Sequence, residues 1–108
     1  MNTCMVYITA SGPDEAGRIA QTLLEERLIA CANILDGIRS RYWWQGEIAS
    51  AEEVVVICKT RETLVPRLIE RVKALHSYEC PCIVSLPIAN GNPDFLEWIR
   101  RETARESS

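Results

Sequence analysis

The chain's single histidine stands in the run His76-Ser77-Tyr78-Glu79-Cys80-Pro81-Cys82, together with two of its five cysteines. Imidazole and thiolate are good donors for copper and zinc, and a carboxylate adds a harder oxygen ligand. His76, Glu79, Cys80 and Cys82 are therefore the candidate metal ligands. On an extended backbone Cys80 and Cys82 face the same side, with Cα atoms roughly 6.5–7 Å apart. That is the long limit for a disulfide and a workable span for two ligands on one ion. A competing reading needs no metal. His76 closes a helix, where a partly positive imidazole favours the C-terminal dipole, and Cys82 opens a buried strand as a small hydrophobe.

Other residues with chemical potential have plainer explanations. Cys31 sits in an apolar run and reads as a buried small residue. Lys59 precedes Thr60 at the end of an apolar run; it can bind an anion or pair with Glu53 or Glu79, and pairing is favoured. Tyr42-Trp43-Trp44-Gln45-Gly46-Glu47-Ile48 places three aromatic residues in succession. In a strand, Tyr42 and Trp44 face one way and Trp43 the other. Tyr42, Trp44 and Trp98 could stack a ligand, but packing at an interface is the better use of such rings. No Ser, His and acid residues form a nucleophilic set, and no glycine-rich phosphate loop is present. Catalysis is not expected, nor is a required cofactor.

The elements that must position these residues follow from periodicity. Residues 4–10 form an apolar strand rich in β-branched and aromatic types. Ser11-Gly12-Pro13-Asp14-Glu15 signals a helix start, and Ala16, Ile19, Ala20, Leu23 and Leu24 make one apolar face running to about Arg27. Residues 29–44 read as a strand bent or bulged at Asp36-Gly37. Gln45-Gly46 is a tight turn. Residues 53–59 form a nearly continuous apolar run, a central strand buried on both faces. A second helix starts near Thr63, because Pro66 is tolerated only in a first turn, and ends around Leu75-His76. Residues 82–88 give a fourth strand, placed at an edge by Pro87. Asn92 caps and Pro93 opens a last helix, and the polar stretch from Arg100 to Ser108 is expected to fray.

The order β-α-β-β-α-β with a terminal helix is the split βαβ, or ferredoxin-like, arrangement of an α+β domain. Length fits one domain over residues 1–108. Both main helices should lie on one face of the sheet, leaving the other face short of cover unless the chain associates with itself. A formal charge of −3 argues against a nucleic-acid surface. No run reaches the ~18 apolar residues of a membrane span, and the first residues do not read as a signal peptide. The five cysteines are odd in number and three of them lie in apolar, strand-like runs, which suits a reducing, cytoplasmic setting better than a disulfide framework.

Several segments then occur in a telling order: Ile29-Ala30-Cys31-Ala32-Asn33-Ile34, Tyr42-x-Trp44-x-Gly46-x-Ile48, Glu53 before Lys59-Thr60, His76-x-Tyr78-Glu79-x-Pro81, and Phe95-Leu96-x-Trp98-Ile99. Together they resemble the divalent-cation tolerance proteins of the CutA family, over nearly the whole chain. The resemblance implies a ferredoxin-like fold, a homotrimer packed around a threefold axis, a role in tolerance of copper and other divalent cations, and copper binding. It implies no established catalytic activity. Family members usually read His-Pro-Tyr-Glu-x-Pro-Glu where this chain has Ser77 for the proline and Cys82 for the second glutamate. A cysteine proposed as a ligand in some members, near the end of the first strand, is absent from Ile8-Thr9-Ala10-Ser11. The exchange of carboxylate for thiol at Cys82 shifts preference towards softer ions such as Cu(I). A second reading is a trimeric small-molecule sensor or signalling scaffold with ligand clefts between subunits, by analogy of fold alone. A hydrolase of the acylphosphatase kind is a weaker third, because Ser11-Gly12-Pro13-Asp14-Glu15 is acidic where a phosphate would bind.

Overall fold

The computed structural model describes residues 2–104. In chain order these form β1 (Thr3–Ala10), α1 (Pro13–Glu25), β2 (Cys31–Trp44), β3 (Glu47–Arg61), a 3₁₀ turn (Glu62–Leu64), α2 (Val65–Leu75), β4 (Ile83–Pro87) and α3 (Pro93–Glu102). The four strands make one sheet in the order β2-β3-β1-β4, and every neighbouring pair is antiparallel. The molecule is α+β, with the element order expected from the periodicity. Pro87 ends an edge strand, where its missing N–H breaks no ladder.

One face of the sheet carries the main core. Cys4, Val6, Ile8 and Ala10 of β1 and Val54, Val56 and Cys58 of β3 point at Ala16, Ile19, Ala20 and Leu23 of α1 and at Leu68 and Val72 of α2. Leu23 is fully buried, as the helical periodicity requires. α1 stops at Glu25, two residues before Arg27, because Arg27 adopts φ 60°. The Leu28 N–H then reaches the Leu23 carbonyl and the Arg27 N–H the Leu24 carbonyl, a Schellman closure built on arginine instead of glycine. Arg27 is held there by its guanidinium on Glu102 and by its own carbonyl, which accepts from the Ala104 N–H. α2 begins at Val65, so Pro66 does fall in the first turn.

β3 is longer than its apolar run. It begins at Glu47, not Glu53, since Ala49, Ser50 and Ala51 are held by pairing with Tyr42, Arg41 and Ser40. The result is a long β2–β3 ribbon. Its turn has Gln45 at φ 50° and Gly46 at φ 82°, the two positive values of a type I′ hairpin turn. A bulge falls where Asp36-Gly37 suggests it: Leu35 pairs with Val55 but Ile38 with Glu53, and Gly37 has φ 73°. The extra residue inverts the alternation of β2. Beyond it Tyr42 and Trp44 share a face with Leu35, while Trp43 pairs with Ile48 on the other.

The face opposite the main core is only partly covered. α3 lies against β3 and β1, and its Ile99 is buried outside the α1–α2 core. Arg61 donates from Nε to Thr103 Oγ1 at 2.9 Å, tying the end of β3 to the end of α3. The rest of that face shows Leu35, Val84, Leu86, Tyr42 and Trp44 to solvent. α3 extends to Glu102, two residues past the start of the polar stretch expected to fray; residues 105–108 of that stretch lie outside those described.

Candidate functional site

Where β1 ends, α1 begins and α2 ends, three chain segments meet. Glu15, in the first turn of α1, is buried. Its Oε1 accepts from the Ser11 N–H and from the Ser11 hydroxyl, both at 2.9 Å, and its Oε2 accepts from the Ser77 N–H at 2.7 Å. Burial raises the pKa of this carboxyl, but the bonds from Ser11 and Ser77 outweigh it and hold the group at about 2. The Ser11 N–H, which a phosphate-binding loop would offer to an anion, is here taken by the chain's own carboxylate.

The His76 side chain has no exposure at all. Its Nε2–H donates to the Thr9 carbonyl at 2.7 Å, and its Nδ1 accepts from the Tyr78 N–H at 3.0 Å. This pair of bonds defines the neutral Nε2–H tautomer. His76 does close α2, its N–H reaching the Val72 carbonyl, but as a neutral ring and not as the cation that a dipole argument expects. The Glu15 Oε2 lies 3.9 Å from Nδ1, beyond hydrogen-bonding range. Tyr78 packs on the imidazole with ring centroids 4.7 Å apart, and its hydroxyl donates to Glu53 Oε2 at 2.8 Å. Burial first, then the bond to the Glu53 carboxylate, push the phenol up to about 12.

The four candidate ligands are therefore divided. Glu79, Cys80 and Cys82 are at the surface, while His76 is beneath it with both ring nitrogens occupied. Among the described residues no group of three or more His, Cys, Asp and Glu side chains could hold a metal ion. The Cys82 thiol is hydrogen-bonded to Thr9; desolvation raises its pKa, the Thr9 hydrogen bond opposes this, and the charge of Glu53 adds to the rise.

Other expectations change in detail. Lys59 pairs with neither Glu53 nor Glu79; its ammonium donates to Asn33 Oδ1 on the neighbouring strand. Cys31 is half-buried, since its register opposite Lys59 turns it to the less covered face. Trp98 stacks on Phe95 at 5.4 Å within α3. Trp43, Trp44 and Ile48 are 73%, 56% and 60% exposed, so the ribbon tip finds no cover within its own chain. A groove lined by Glu26, Leu28, Pro66, Arg67, Glu70 and Arg71 contains none of the candidate ligands and is crossed by the Arg71–Glu26 ion pair at 2.9 Å.

The residue that sequence reasoning undervalued is Glu15. It reads as one of two acids favouring a helix N-terminus. The further signal is its place at the third helical position after Ser11-Gly12, one step removed from a capping box. Its bond to Ser77 crosses 62 residues and has no local signature.

Comparison with known proteins places this architecture. A family described as "CutA1 divalent ion tolerance protein" matches residues 4–102. The Divalent-cation tolerance protein CutA of Thermus thermophilus is 48% identical over 99 residues, 92% of this chain and 96% of that protein. The crystal structure of CutA1 from Oryza sativa superposes with a TM-score of 0.95 at 42% identity, covering 99% of this chain and 97% of that one. A structure described as the periplasmic divalent cation tolerance protein CutA from Archaeoglobus fulgidus gives a TM-score of 0.88 at 46% identity, covering 90% and 94%. The fold and a family match that spans nearly the whole chain together mean that this chain belongs to the CutA1 divalent ion tolerance family.

Proposed function

We propose that this chain serves in the tolerance of divalent cations, copper among them, as a non-catalytic protein whose working form is a homotrimer. The observation that carries this reading is the unfinished half of the sheet. Leu35, Val84 and Leu86 are about half exposed on one face, and the ribbon that extends this face ends in Tyr42 and Trp44, both only partly covered by their own chain. Apolar surface of that extent marks an interaction site. A ribbon from one copy laid on the open face of the next is a head-to-tail contact, and such contacts close into rings. Three copies make the smallest ring beyond a reciprocal pair.

Support for a role without catalysis comes from the polar junction, where the histidine and its neighbouring carboxylate spend their lone pairs and protons on holding three segments together. We assign the chain to the cytoplasm because all five cysteines are free thiols. Among the described residues no helix is long and apolar enough to cross a membrane. Sedimentation equilibrium at micromolar concentration tests the assembly. Three times the chain mass is expected, and a stable monomer would overturn the proposal.

A further inference from the structure

Resting on the self-association read above, we propose that Glu47 at the ribbon tip of one copy docks on Lys59 and Arg61 of the next, and that this ionic contact sets the direction in which the ribbon is laid. The pairing register sorts the charges by face. β3 is unbroken from Glu47 to Arg61, so its odd-numbered residues all share the open face with Leu35, Val84 and Leu86. On the overhang beyond β1 that face carries Tyr42, Trp44, Ala49 and Ala51, and Glu47 is its one charge short of Glu53. Arg39, Arg41 and Glu52 point the other way. Among the paired residues of the sheet proper, the open face has two charges, Lys59 and Arg61, both at the far end of β3.

These charges are unmatched within the chain. Among the described residues, none of Glu47, Lys59 and Arg61 makes an ion pair. Lys59 is half-buried and donates to the neutral amide of Asn33. Arg61 is 5% exposed; its Nε donates to Thr103 Oγ1, while its Nη2 is buried with no acceptor. A buried guanidinium without a counter-charge is costly, and in a low-dielectric setting its field reaches well beyond contact distance. A carboxylate set on Lys59, two residues back on the same face, offsets both cations.

Lengths and rows fit the same contact. The overhang of β3, Glu47 to Glu53, spans about 24 Å, and the stretch paired with β1, Val54 to Arg61, about 27 Å. A ribbon laid along the open face therefore reaches from one end to the other. With its tip at the Val55 end, Glu47 would meet the Glu53 carboxylate of the next copy; at the opposite end it meets two cations. Trp44 and Glu47 are cross-strand partners, and Leu86, Met5 and Lys59 form one row across β4, β1 and β3. Adjacent strands are about 4.8 Å apart in both, so the indole falls on Leu86 and Met5 as the carboxylate falls on Lys59.

The test treats the full-length protein with a water-soluble carbodiimide, which joins a carboxylate to an amine in contact with it and adds no spacer. Along one strand Glu47 and Lys59 stand about 40 Å apart, so an amide between them can form only between copies. Denaturing gels should show covalent dimers and trimers, and mass spectrometry of the digest should find the Glu47–Lys59 linked peptide. Glu47→Gln and Lys59→Gln should each remove that peptide and weaken association in sedimentation by at least about tenfold. The exchanged pair E47K/K59E should associate more tightly than Glu47→Lys alone. Circular dichroism checks folding of each variant, and the exposed Glu47 keeps the test open where Arg61→Gln fails to fold. A trimer whose Lys59 links to another carboxylate or to none, or whose association Glu47→Gln leaves unchanged, would overturn the contact while the assembly stands. A stable wild-type monomer would overturn both.

Discussion

Glu15 and His76 are sunk where β1, α1 and α2 meet, and the polar atoms of both side chains are bonded within the chain; Tyr42, Trp43 and Trp44 stand on a ribbon with no such partners. Both regions concentrate side chains that sequence alone marks as functional. At the junction, folding of one chain satisfies them completely. On the ribbon, folding only places them: the bulge at Asp36-Gly37 and the turn at Gln45-Gly46 set which ring faces which way, and their energy stays unrealised. The buried histidine beside an acid holds three segments of one chain together, and the exposed aromatic strand end is where the proposed assembly is tested.

The largest effect should come from the ribbon. Replacing Tyr42 and Trp44 together by serine removes the two rings on the open face, each worth on the order of 2 kcal/mol at an interface centre. The expected outcome is a shift from trimer to monomer in sedimentation at micromolar concentration, with far-UV circular dichroism retained. Trp43→Ser, on the opposite face, should shift it less. Equal effects of the two changes would mean that the contact is not confined to the open face.

The junction should respond to pH instead. The Glu15 carboxyl sits at about 2 in the folded protein against an ordinary 4.5. Between those values the unfolded chain binds the extra proton and the folded one does not, so stability falls as pH falls. The contribution is fully present above 4.5 and is lost on passing through 2; its size is about 3 kcal/mol for a buried group. Glu15→Gln should lose most of this at pH 7 in urea unfolding, and its stability should decline less steeply than wild type from pH 4.5 to 2. Parallel curves over that window would show that Glu15 is not the group responsible.

What could be read beforehand divides along the same line. Local features were legible: the apolar run of β1, Pro66 in a first turn, the bend or bulge at Asp36-Gly37. The start of β3 was not, because Ala49, Ser50 and Ala51 have weak strand preference and are ordered by their partners across the ribbon. The Lys59–Asn33 bond and the enclosure of His76 by Thr9 and Tyr78 were not either. In the histidine's case the deciding carbonyl is 67 residues away, and only the antiparallel packing of β1 between β3 and β4 brings it within reach. The metal-ligand reading came from spacing along the chain; spacing does not report which side chain the fold will enclose.

Two glycines give the finest separation of the self-sufficient layer from the ribbon. A Cβ added at either Gly17 in α1 or Gly37 in the bulge would meet nothing within 4 Å, so packing cannot distinguish them. Backbone conformation can. Gly17 is helical, and alanine there narrows the unfolded ensemble without strain, which should raise stability by about 0.5–1 kcal/mol. Gly37 has φ +73°, where an alanine Cβ crowds the following carbonyl, so the same substitution should cost about 1–2 kcal/mol. Urea midpoints at constant slope should therefore move in opposite directions. A loss at Gly17 would reveal a neighbour that only the assembled protein supplies, moving part of α1 from the self-sufficient half of the molecule to the shared one.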